Sequence, residues 1–193
     1  MINWKNILAV GGVLVVLQLL NYHYGQGNFR TERVQTLVPV GTSPVYPTAP
    51  VQIPAGWNHL FSPDGRFSVI VPKVPLKEIR NGKSLDHEFL IQIESEMYSI
   101  GYRDYPLDLS KEEQREILDE MGKISNPNWE AVNKRNFGLN GHPGVEIEMK
   151  PKAFNYPPGK TWLIYVGRRL YSMVVVTPYP QNAEMFLRSF QPL

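Results

Sequence analysis

The side chains able to do chemistry are few in this sequence, and their spacing keeps them apart. His23, His59, His87 and His142 are the only histidines, and none has another histidine two to four positions away. Neither HxxE nor HExxH occurs, the spacings that set two metal ligands on one face of a helix. His142 follows an Asn140-Gly141 turn, where a polar loop residue is the ordinary occupant. His87 is flanked by Asp86 and Glu88, but on a strand those neighbours alternate to the opposite face and cannot share a cation with it. Glu146 and Glu148 stand two apart, as a carboxylate pair for acid–base work would. The same alternation makes them the solvent-facing partners of inward Val145, Ile147 and Met149, and that is the expectation here. No serine lies in GxSxG and no glycine-rich phosphate loop follows a strand. Cysteine is absent, which removes thiolate nucleophiles, disulfides and Cys-based zinc or iron–sulfur sites. The sequence therefore predicts a protein that is not an enzyme, with no cofactor and no metal site.

One stretch is better suited to binding than to packing. "MKPKAFNYPPGK", residues 149–160, sets Phe154 and Tyr156 beside two prolines, with Lys150, Lys152 and Lys160 around them. Rigid aromatics with a basic rim are what a partner-binding loop contains, and these five residues form the candidate partner site. The competing reading folds both rings back over the sheet edge.

The elements that must position these groups follow from turn chemistry and periodicity. Asp64-Gly65, Asn81-Gly82, Asn140-Gly141 and Pro158-Gly159 are flanked by strand-like runs, and Gly167-Arg168-Arg169 reads as a tight hairpin between "TWLIYV" and "LYSMVVV". "FSPDGRFSVIVP", residues 61–72, is then a first hairpin rather than the rim of an active site. Alternation places Phe67, Val69 and Val71 on one face; Phe89, Ile91 and Ile93 form a second set, Tyr98, Ile100 and Tyr102 a third, and Val145, Ile147 and Met149 a fourth. Two segments break the period. "SKEEQREILDEMGK" opens with a Ser110–Glu113 capping box and carries an apolar stripe of Ile117, Leu118 and Met121. "NAEMFLRSF" places Met185, Phe186, Ser189 and Phe190 on neighbouring turns of a short closing helix. The pattern predicts an α+β fold, an antiparallel sheet flanked by helices.

The first 55 residues differ from the rest. Residues 7–20 carry no charge, and the stretch from 4 to 22 would rise ~28 Å as a helix, with Trp4 at one edge and Tyr22 and Tyr24 at the other. That predicts an N-terminal transmembrane anchor over residues 1–27, with a cleaved signal segment as the alternative. Prolines at 39, 44, 47, 50 and 54 make residues 28–56 a Pro-rich linker. From residue 56 onward 17 Lys/Arg balance 17 Asp/Glu, so the domain over residues 57–193 lacks the positive field of a nucleic-acid binder. The positive-inside balance is nearly even, and the domain is expected on the translocated side.

Four stretches carry a resemblance: "FSPDGRFSVIVPKVP", "YSIGYRDYP", "LNGHPGVEIEM" and "RLYSMVVV…FLRSF". Together they resemble the PsbP-like domains of oxygenic phototrophs, within a wider α/β/α sandwich group that includes DcrB-type bacterial lipoproteins. The lipoprotein cysteine is missing, so that mode of attachment cannot apply. The resemblance implies an extrinsic, non-enzymatic protein on the lumenal (thylakoid) or periplasmic side of a membrane, assisting assembly or stability of a complex such as photosystem II. No metal ligand is carried over from the family. Two rivals remain at this stage: an envelope protein binding a small ligand or lipid, which needs an apolar pocket, and a carboxylate hydrolase, which needs two converging acids.

Overall fold

The computed structural model describes residues 34–35, 53–80, 87–105, 109–121, 129–152 and 156–193. The strands are β1 (Val34–Gln35), β2 (Trp57–Ser62), β3 (Phe67–Pro72), β4 (Leu76–Arg80), β5 (His87–Ile93), β6 (Glu96–Asp104), β7 (Trp129–Leu139), β8 (His142–Pro151), β9 (Gly159–Val166), β10 (Arg169–Val176) and β11 (Gln191–Pro192). The helices are α1 (Lys111–Met121) and α2 (Pro180–Arg188).

Eight strands pair antiparallel in the order β1-β4-β5-β6-β10-β9-β8-β7. The hairpin β2–β3 does not extend this sheet. With β11 it makes a second, three-stranded sheet, and that sheet and α2 share one apolar core with one face of the large sheet. The expectation of a sheet flanked by helices therefore holds for the first face, where Ile117 and Leu118 of α1 pack on Val145, Ile147 and Met149. On the second face the cover is a small sheet and a helix together. The reason lies in β3, whose six residues are all buried; a strand apolar on both sides needs neighbours on both.

Local chemistry explains most boundaries. At α1, Glu113 N–H donates to Ser110 Oγ (3.2 Å) and Ser110 N–H donates to Glu113 Oε2 (2.9 Å), the reciprocal capping box. Gln114 Nε2 donates to Gly167 O (3.2 Å), tying the helix to the β9–β10 turn. α2 begins at a proline and buries Ala183, Phe186 and Leu187. Ser189 after it accepts from Ile70 N–H (2.8 Å) and donates to Phe186 O (2.9 Å), stitching α2 to β3. Asn140 and Gly141 both have positive φ, 51° and 81°, as the two-residue β7–β8 turn requires.

Two expectations need correction. Pro158-Gly159 is not a turn: Gly159 opens β9, opposite Met149 and Val176, and a Cβ there would come within 3.3 Å of Val175 O. The glycine serves close packing. The linker is also not wholly outside the fold, because Val34 and Gln35 pair with Lys77 and Leu76. Among the described residues no helix is long and apolar enough to cross a membrane, and the anchor expected over residues 1–27 lies outside them, as does the Asn81-Gly82 turn.

The centre of the molecule is β10. It pairs over its full length with β6 and with β9. Leu170, Val174 and Val176 belong to the first core, and Tyr171, Met173 and Val175 to the second.

Candidate interaction surface

Toward its β7 edge the second face of the large sheet opens to solvent. β7 is exposed over most of its length, and the register aligns Arg135, Glu146 and Trp162 in one row and Phe137, Gly144 and Ile164 in the next. The Phe137 ring lies over Gly144, where a Cβ would sit 2.8 Å from it, and its centroid is 4.6 Å from that of Trp162. Glycine at 144 is what lets the two rings meet.

Glu146 corrects a sequence expectation. It shares the outer face with Glu148 as alternation predicts, yet it is 2 % exposed. Its Oε2 accepts from Trp162 Nε1 (2.6 Å) and its Oε1 lies 2.8 Å from Arg135 Nε. The flanking strands supply an indole donor to Oε2 and a guanidinium charge beside Oε1; Oε1 has that ion pair but no aligned hydrogen bond. Glu148 stays accessible, near Lys160 Nζ (3.8 Å). Lys160 also donates to Glu184 of α2 (2.9 Å), and Arg188 Nε donates to the same carboxylate (2.6 Å). The Lys160 and Arg188 hydrogen bonds hold the Glu184 carboxyl below its ordinary range. The result is a rigid platform, an aromatic pair bordered by charges of both signs.

The described residues of the 149–160 candidate site do not converge. Tyr156 is half-buried, its ring 6.2 Å from buried Trp129, and it packs on the first-face core. Lys160 faces the other way, toward α2. Lys150 and Lys152 are exposed, and Phe154 lies outside the described residues. For Tyr156 the ring does fold back onto the core.

Two buried polar clusters were not foreseen. At one end of the second core His87 lies between Tyr102 OH (3.0 Å from Nδ1) and the Glu78 carboxylate at Nε2. Arg169 stacks over the Tyr102 ring (4.1 Å) and binds Asp104 through Nε and Nη2, both 2.6 Å. These bonds from Arg169 hold the Asp104 carboxyl below its ordinary range. Arg169 Nη1 donates to Asp64 O (2.8 Å) and Tyr171 OH to Gly65 O (2.8 Å), so the cluster fastens the β2–β3 turn to the large sheet. On the opposite face Glu88 accepts from Ser99 Oγ (2.8 Å). Burial pushes the Glu88 carboxyl up to about 7, against the lowering effects of that bond and of the Lys77 charge. An imidazole held between an acid and a phenol could relay a proton in principle, but all three groups are buried and face packed strands. Among the described residues, no three His, Asp or Glu side chains gather as a metal site would require. A sequence signal existed only for Arg169, an arginine at a hairpin start; nothing marked Glu78 as the partner of His87.

No protein-family description and no curated protein matches this chain. Among solved structures it is similar to the solution structure of cyanobacterial PsbP (CyanoP) from Synechocystis, with 14% identity and a TM-score of 0.55, covering 78% of this chain and 100% of that one. Weaker likenesses are to the PA94 protein of Pseudomonas aeruginosa (8% identity, TM-score 0.34, 66% of this chain and 86% of that one) and to a Bacteroides thetaiotaomicron protein (16%, 0.39, 72% and 49%). The fold is PsbP-like.

Proposed function

We propose that this chain is a non-enzymatic accessory domain, tethered through its N-terminal apolar segment, that binds subunits of a membrane protein complex and assists its assembly or stability. The complex is of photosystem type by the PsbP-like resemblance, and the domain lies on the periplasmic or thylakoid-lumen side. The observation that carries the reading is the platform on β7, β8 and β9, where Phe137 and Trp162 pack at a tilt of 44° within a border of Arg135, Lys160 and Glu184. Aromatics immobilised by packing and rimmed by charge lose little entropy on contact with a partner. The CyanoP-like fold supports the same reading, as a fold-level analogy.

The test is affinity capture of the C-terminally tagged full chain from native membranes in mild detergent, followed by mass spectrometry. Recovery of photosystem subunits or assembly factors, lost on Val132→Glu and Phe137→Ala but kept on Lys150→Ala, is the expected result. Val132 is 55% exposed on the β7 bulge, so its change tests the surface and not the fold. Recovery of the chain alone from an extract with intact complexes would overturn the reading.

A further inference from the structure

On the first face, between α1 and the β7–β8 hairpin, lies a cleft of about 460 Å³, within the ~300–1,000 Å³ of small-molecule sites. Leu118 reaches it from the helix, and the hairpin side carries Asn136, Phe137, His142 and Pro143 together with three glycines. Lys111 and Arg115, one helical turn apart, stand with His142 among its lining residues, and no lining residue is acidic. Lys111 and Arg115 are both exposed.

Several other cations of the sheet and its helices are ion-paired: Lys134 with Asp119, Arg135 with Glu146, Lys160 with Glu184 and Arg169 with Asp104. Of the acids on α1, Glu113 closes the capping box and Asp119 holds Lys134, while Glu112 and Glu116 flank Arg115 in sequence without lining the cleft. Lys111 and Arg115 take part in none of these pairs. Among the described residues neither has an ion-pair partner, and two such cations beside a mostly apolar recess are complementary to a molecule with one anionic head and a small apolar body.

The geometry points to a binding site for an organic anion, a phosphate or carboxylate on an apolar group, with Lys111 and Arg115 on the head and Leu118 beside the body. The cleft shares Phe137 and Gly144 with the edge of the platform, but its cationic side on α1 is distinct and does not depend on the accessory reading. Gly138 offers a direct test. It is exposed, and a Cβ added there meets nothing nearer than His142 O at 3.8 Å, so a large side chain at this position fills the cleft and not the core.

The experiment uses the full chain in phosphatidylcholine nanodiscs, titrated with phenyl phosphate by calorimetry and ligand-observed NMR. Saturable 1:1 binding is expected, about tenfold weaker for Arg115→Ala from the loss of a charge-assisted contact, weakened by added salt and lost in Gly138→Trp. Inorganic phosphate and benzyl alcohol should each bind at least tenfold more weakly than phenyl phosphate. Absence of binding, equal binding by benzyl alcohol or inorganic phosphate, or binding unchanged in both variants would overturn the site. If Gly138→Trp fails to fold, the exposed change Arg115→Glu replaces it, and unchanged binding then overturns the site just as well. Phosphatidylglycerol nanodiscs distinguish the sources: competition with phenyl phosphate identifies a lipid headgroup, and its absence with binding intact identifies a soluble anion.

Discussion

Glu88→Gln should change how stability responds to pH. The Glu88 carboxyl is buried beside Ser99 and pushed from its ordinary value of 4.5 up to about 7, chiefly by desolvation. Between those values the folded protein holds a proton that the unfolded chain has lost. The unfolded state then binds fewer protons, so stability falls as pH rises from about 4.5 to about 7 and levels off above that. At ~1.4 kcal/mol per pH unit the whole effect is about 3 kcal/mol, of which about 2.5 falls between pH 5 and pH 8. Glutamine keeps the acceptor for the Ser99 hydroxyl and removes the titration. Urea unfolding of both proteins at pH 5 and pH 8 isolates the term, since every other carboxylate is common to the pair. The variant should match the parent within ~1 kcal/mol at pH 5. At pH 8 its midpoint should gain about 1–2 M urea relative to the parent. Parallel pH profiles for the two proteins would refute the argument.

Three further substitutions, two of them set against a control, test particular contacts. Glu146→Ala strands the Trp162 indole N–H in a buried site and should cost about 2–3 kcal/mol, whereas Glu148→Ala should stay within about 0.5–1; equal losses in chemical denaturation would contradict the buried-carboxylate geometry. Tyr156→Ala should lower stability by about 1–2 kcal/mol through lost packing on Trp129, with Lys150→Ala within ~0.5, and a silent Tyr156→Ala in a thermal melt would return that ring to the surface. Ser189→Ala removes the bond that Ile70 N–H makes across to α2 and should cost about 1–2 kcal/mol, read most directly as faster amide exchange at Ile70.

What could be read from the sequence was what local chemistry decides. The Ser110–Glu113 box, the Asn140-Gly141 turn and the alternating sets on β5, β6 and β8 all depend on residues a few positions apart, and the structure has them. Glu94 shows the limit: the β5–β6 turn places it at φ 47° with no glycine, proline or asparagine to signal the bend. Glu146 shows another, because alternation fixes the face of a side chain while burial depends on which strands lie beside it. Its neighbours Arg135 and Trp162 come from β7 and β9, eleven residues before it and sixteen after. Gly159 read as a turn because proline preceded it, and only the approach of Val175 O shows its use. The arrangement of the candidate partner residues was illegible for the same reason. Residues close in sequence at 149–160 were taken as one patch, and the sheet sent Tyr156 and Lys160 to opposite faces.

The position of β10 couples the two halves of the molecule. Its side chains alternate between two cores, and each of its flanks is paired through eight residues. Neither α1 with its core nor the small sheet with its core can open by way of β10 without exposing the other. Unfolding that starts from this strand is therefore global, and its amides should exchange with solvent only as fast as the whole domain opens. β7, whose outer edge has no partner strand among the described residues and whose face is exposed, can fray without disturbing that centre. Exchange protection should grade across the sheet from β10 to β7. The platform and the cleft both lie at the labile end, where partner binding would register as slowed exchange while the global rate set by β10 stayed the same.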